Sequence, residues 1–168
     1  MFKVLDEVCT PKRGTRYSAY VDLFSREDVS IAPGETKIVK LGIKLDIDSL
    51  MAACYDCYSS FSFFMMSHYL EIALRSSLAA KGLIISNGIG IIDLDYPDEI
   101  GLIVHNPIKF DYMTKIDGWA PHKEISNKLF EISKGDKVAQ CTIKEHRGYM
   151  MGYESDVIRE GGFGSTGV

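Results

Sequence analysis

"KIVKLGIKLDI", residues 37 to 47, decides the fold class. Val39, Leu41, Ile43, Leu45 and Ile47 alternate there with Lys40, Gly42, Lys44 and Asp46. Successive side chains of a strand point to opposite faces, so a period of two buries one face and wets the other. Working outward, "HYLEIAL" (68–74), "GLIVHNP" (101–107) and "KVAQCTI" (137–143) read as further short strands, bounded by Pro, Gly, Asn and Asp. Many short strands with little helix predict an all-β sandwich, jelly roll or barrel.

Two stretches fit this pattern poorly. Residues 49–67 are rich in aromatics and methionine, and "SLMAACYDCY" within them reads as a short helix. Residues 107–133 are long for a hairpin connection and hold the single tryptophan, Trp119. Both read as insertions. The first is expected to be dispensable for chemistry and the second to offer a protein partner a contact surface.

At 168 residues the chain has the size of one domain, and its 46% hydrophobic and 25% charged residues are those of an ordinary globular protein. A net charge of −4 argues against broad nucleic-acid binding, which needs a basic face. The apolar stretch from Ser49 is broken by Asp56 and His68, so no membrane span is expected. The opening "MFKVLDEVCT" has acidic residues where a signal peptide needs an apolar run. Cys9, Cys54, Cys57 and Cys141 suit a reducing compartment, and a cytoplasmic protein is expected. Cys54 and Cys57 form a C-x-x-C without a second pair or a spaced histidine pair, and read as structural rather than zinc-binding.

The residues that carry chemistry fall into separate segments. "NGIGIIDLDYPDEIGLIV" (87–104) has two apolar arms around a turn-prone centre and reads as a β-hairpin presenting Asp93, Asp95 and Tyr96. A carboxylate fixed there can orient and deprotonate a water, although Asp93 and Asp95 also suit plain turn positions. Arg75, Ser76 and Ser77 offer a guanidinium, two hydroxyls and backbone N–H groups to a phosphate. The end of the chain, "REGGFGSTGV" (159–168), is glycine-rich with one aromatic, Phe163. It reads as a mobile arm able to approach an anion and cover a base.

Taken in order, "SAYVDLFS" (18–25), "ALRSSLAAKGL" (73–83), "NGIGIIDLDYPDEIGL" (87–102), "KGDKVAQCTI" (134–143) and "REGGFGSTGV" resemble the five motifs of the trimeric deoxyuridine triphosphatase (dUTPase) family. The resemblance implies a jelly-roll-like homotrimer with a β domain over 1–157 and an arm over 158–168 that closes over the active site. It also implies Mg²⁺-assisted attack of water on the α-phosphate of dUTP, giving dUMP and pyrophosphate.

Residue by residue, the resemblance makes Asp93 the general base and Asp22 the carboxylate linked to Mg²⁺ through water. Tyr96 lies beneath the deoxyribose, and Asn87 helps to read the uracil edge. Arg75, Ser76, Ser77 and Gln140 fall at phosphate-binding positions. In the arm, Phe163 stacks on the base, Gly164 belongs to the closing segment, and Arg159, Ser165 and Thr166 lie near the outer phosphates. The chain departs from the pattern at Tyr20 and Val21, at Ser77, at Pro97-Asp98, and in the spacing of Arg159 from Phe163.

Two other functions compete with this one. A dCTP deaminase shares the Arg-Ser-Ser-Leu-Ala run but needs a glutamate on the strand leaving the hairpin, where "GLIVHNP" has none. A nucleotide-gated regulator could use the same scaffold, with residues 107–133 as its contact surface.

Overall fold

The computed structural model describes residues 1–55, 60–107 and 129–152. The first half of the chain forms β1 (Phe2–Val4), β2 (Lys12–Arg13), β3 (Val21–Phe24), β4 (Val29–Ile31), β5 (Thr36–Lys40) and β6 (Ile43–Leu45). Two helices follow, α1 (Ile47–Tyr55) and α2 (Phe61–Ser67). Then come β7 (His68–Leu74), α3 (Ser76–Ala79), β8 (Ile84–Ile85), β9 (Gly90–Asp93), β10 (Gly101–His105), β11 (Phe130–Ile132) and β12 (Lys137–Glu145). The result is a mostly-β, jelly-roll-like fold. Among the described residues no helix is long and apolar enough to cross a membrane.

A five-stranded sheet runs β2-β3-β12-β7-β9 and a three-stranded sheet runs β5-β10-β8, with β1-β6 and β4-β11 as separate pairs. All of these pairings are antiparallel. The alternation read at residues 37–47 becomes burial: Val39, Leu41 and Ile43 are fully covered and Leu45 nearly so. In β7, Leu70 and Ile72 turn into the same core while Tyr69 and Glu71 point away. Each such Leu or Ile contributes about 1.5–3 kcal/mol by leaving water. Gly42 is forced within this run, because it has φ +61° and a Cβ there would lie 2.5 Å from Cys9 Sγ.

The structure corrects the sequence reading in four places. First, Ile47 does not continue the strand pattern; it opens α1 and is 40% exposed. Second, the stretch 49–67 holds two helices, of which only the first was expected, and it contributes side chains to the core. Leu50, Cys54 and Phe64 are buried in the main core, with Phe61 and Met65 packed against it. The Ser60 hydroxyl caps α2 by accepting from the Phe63 amide, so the start signal was present but masked by an apolar run without clear period. Third, Phe130–Ile132 lies within the stretch read as the second insertion but pairs with β4 and buries Phe130 and Ile132. Residues 108–128, including Trp119, lie outside the described residues, as do Cys57 and the arm.

The fourth correction bears on the site. The arms of the expected hairpin do not pair with each other: β9 pairs with β7, whereas β10 lies between β5 and β8 in the other sheet. The sequence shows two apolar arms and a turn, but each arm finds a longer partner elsewhere. The hairpin is therefore splayed, and a cavity opens between its arms.

Candidate active site

Pocket one is the space between the splayed strands. Ile72, Asn87, Gly90, Ile92, Tyr96 and Leu102 are among the residues that line a cavity of about 130 Å³. An apolar cavity of about 150 Å³ accepts a benzene ring, so this volume suits one six-membered ring rather than a fused pair. Gly90 keeps the floor open, since a Cβ there would already sit 3.0 Å from Ile72 Cβ. Tyr96 is buried at 7% exposure and closes one wall, its amide donating to Asp93 O over 3.0 Å. Asp93 ends β9, exposed, directly opposite Tyr69 of β7.

Pocket two lies over the strands β3, β12 and β7, lined by Gly14, Ser18, Ala19, Tyr20, Asp22, Arg75 and Gln140. Antiparallel register creates it: Asp22 lies opposite Gln140, which lies opposite Ala73, two residues before Arg75. Asp22 is 4% exposed and its two oxygens face two cations. Arg75 Nη1 donates to Oδ1, and Lys137 Nζ lies 3.0 Å from Oδ2. Arg75 Nε is buried and has no hydrogen-bond partner among the described residues. Ser76 and Ser77 are exposed in the first turn of α3, with their backbone amides at the helix start.

Beside this pocket the departures noted in the sequence acquire a structure. Tyr20 donates its hydroxyl to Glu71 Oε1, and Tyr69 donates to Oε2 over 3.0 Å. The Tyr20 bond, reinforced by Tyr69, holds the Glu71 carboxyl below its ordinary range against the opposing effect of burial. The same bond pushes the Tyr20 phenol up to about 12.

Asp22, Arg75 and Gln140 are thus brought together, and so are Asn87 and Tyr96, but the two groups are separate. Asp93 is in register with Tyr69, six residues along β7 from Arg75. At a rise of about 3.3 Å per residue that is roughly 20 Å. Sequence reading missed Lys137, Tyr20 and Glu71 as contributors. Lys137 stands three residues before Gln140, but a register shift between Lys137 and Ala139 aims it at Asp22, and such a bulge leaves no sequence signal.

A ring-sized cavity beside a carboxylate, together with a cation-lined pocket for an anion, defines a nucleotide-handling β protein. Comparison with known proteins is specific about which one. The dUTPase family model matches residues 6–115. The deoxyuridine 5'-triphosphate nucleotidohydrolase of Nautilia profundicola is 32% identical, over 98% of this chain and 95% of the relative. The mouse (Mus musculus) protein of the same name is 31% identical, over 98% of this chain and 82% of its own length. A variant dUTPase of phage phi11 of S. aureus, whose structure reveals the coordination of a structural Mg(II) ion, superposes with a TM-score of 0.60 at 19% identity, covering 98% of both chains. The chain belongs to the dUTPase family.

Proposed function

We propose that the chain hydrolyses dUTP to dUMP and pyrophosphate at sites shared between copies of itself. The observation that carries this reading is the layout along β7, with Asp93 opposite Tyr69 near one end, the ring cavity beside Ile72 and Gly90, and the cation-lined pocket beyond the other end. One nucleotide cannot span roughly 20 Å of strand and still present its α-phosphate to Asp93. The two halves meet if the Asp93 end of one copy faces the Arg75 end of the next, and a closed cyclic homotrimer does this with identical contacts.

In such a site uracil enters the splayed hairpin, where Asn87 and strand backbone read its edge. A wrong base would leave buried polar groups unpaired. Tyr96 packs beneath the deoxyribose and leaves no room for a 2′-hydroxyl. Asp93 holds a water against the α-phosphate and takes its proton as the water attacks in line, and pyrophosphate departs. Arg75, Ser76, Ser77 and Gln140 hold phosphate oxygens as charge builds on them. Arg159, Phe163, Gly164, Ser165 and Thr166, which lie outside the described residues, close over the base and outer phosphates.

Among the described residues no group of three or more acidic, histidine or cysteine side chains is placed to hold a metal. Mg²⁺ nevertheless fits, because it keeps waters and binds mainly through substrate phosphates, needing one or two carboxylates. Asp22, whose oxygens already face Arg75 and Lys137, suits contact through water. When bound, the ion spreads the charge of the triphosphate. A protein contact through the 107–133 stretch, apart from its buried strand β11, is proposed alongside. Against a deaminase stands Glu99, two residues before β10: its carboxylate accepts from Arg26 over 2.8 Å and from the Gly42 amide over 2.9 Å.

Release of pyrophosphate from dUTP, measured against dCTP, dTTP and UTP, tests the reading. Activity on dUTP well above the other three is expected, and none on dUTP would overturn it.

A further inference from the structure

Lys137 has no role in the mechanism so far, yet it touches the most buried carboxylate at the phosphate pocket. Its ammonium is 3.0 Å from Asp22 Oδ2, while its side chain is about half exposed. The register shift at Lys137/Ala139 places it on the face that carries Asp22. On the other oxygen Arg75 is held by Nη1 alone, with Nε buried and lacking an acceptor among the described residues. A guanidinium with an unanswered buried donor is poised for a second arrangement in which an incoming oxygen takes that hydrogen bond.

The cost of that second arrangement falls on Asp22. When Arg75 turns toward a phosphate, a 6% exposed carboxylate loses one of its two counter-ions. Leaving a buried carboxylate without any partner is strongly unfavourable. The charge count points the same way. Asp22 and Arg75 alone are neutral together, and Lys137 leaves the group with one net positive charge for a polyphosphate to find. Lys12, opposite Asp22 in β2 with its ammonium over the Phe24 ring at 5.7 Å, adds to the field but makes no ion pair with Asp22 among the described residues.

We propose that Lys137 is a positioning residue for triphosphate binding. It is the standing counter-ion of Asp22, and it frees Arg75 to move from that carboxylate to a phosphate without stranding a buried charge. The inference rests on the dUTPase reading and adds a named residue to it.

The test is titration of α,β-imido-dUTP into wild type, Lys137→Met, Lys137→Arg and the double variant Asp22→Asn/Lys137→Met, with folding checked by circular dichroism. Lys137→Met should bind at least about tenfold more weakly, the scale of one charge-assisted contact, and Lys137→Arg should bind nearly as wild type. In steady-state assays Lys137→Met should raise KM for dUTP by a similar factor, with a much smaller change in kcat. In EDTA, Asp22→Asn should restore affinity in the Lys137→Met background, because a neutral side chain needs no counter-ion. A merely structural role would not give that rescue. Equal binding by wild type and Lys137→Met, or no rescue by Asp22→Asn, would overturn the inference while leaving the dUTPase reading intact. No binding by wild type would overturn the reading itself and the inference with it.

Discussion

Tyr20, just ahead of β3, and Glu71, on β7, are joined by a hydrogen bond across the outer face of the five-stranded sheet. Glu71 is held below its usual range, so its contribution to stability is present above the unfolded carboxylate value and is lost as pH falls through the lower folded one. Tyr20 is raised to about 12, so its contribution is full below the ordinary phenol value and is lost as pH climbs toward 12. Tyr20→Phe should therefore cost about 1–2 kcal/mol near pH 7. Urea unfolding at several pH values should show that difference shrinking in acid below the carboxylate range and in strong base. A difference independent of pH would mean that the bond contributes nothing.

Asp93→Asn should lower kcat by at least about a hundredfold while the affinity for α,β-imido-dUTP changes little, because on the proposed reading Asp93 acts in the chemical step alone. Near-normal turnover in a single-turnover assay would move the base elsewhere.

Tyr96→Ala should raise activity on UTP relative to dUTP, since on the proposed reading it removes the wall that meets a 2′-hydroxyl. Tyr96 belongs to the core cluster, so a lower melting temperature is also expected, and the ratio of kcat/KM values is the measurement that decides.

Leu50→Ala should cost about 2–4 kcal/mol, as for other fully buried leucines, although Leu50 lies in a stretch that looks like an addition. Splicing Asp48 to His68 through a short turn should likewise lower soluble yield, because it strips Leu50, Cys54 and Phe64 from the core. A spliced protein as stable as the parent would restore the view that the stretch is dispensable.

Co-expression tests how sites are shared. Asp93→Asn chains and chains truncated after Asp156 should each be nearly inactive alone. If hairpin and arm come from different copies, every mixed cyclic trimer holds one complete site. Random mixing then predicts recovery of roughly a quarter of wild-type activity. No recovery, with mixed trimers confirmed by mass, would place the arm over its own subunit.

How much of this was legible in the sequence follows from the range of each interaction. The alternation at 37–47 is local, so Val39, Leu41, Ile43 and Leu45 could be assigned to a core without a structure. Arg75, Asp22 and Gln140 could be named from ordered motifs, but their meeting in one pocket depends on strand register, which no short window encodes. Lys137 and Glu71 gain their roles from partners over 50 residues away, in Asp22 and Tyr20. The splayed hairpin was missed because its arms compete for partners in two sheets.

That splaying bears on how the activity can change over generations. On the proposed reading, much of what faces the base is main chain on the edge strand β9 and along β10, with Gly90 and Gly101 among the lining residues. Main-chain donors and acceptors are the same whatever side chain is attached, so no single codon change converts them into a complement for cytosine. The preferred base is then inherited with the strand arrangement itself, and lineages can vary their surfaces and loops widely while the choice of base stays fixed.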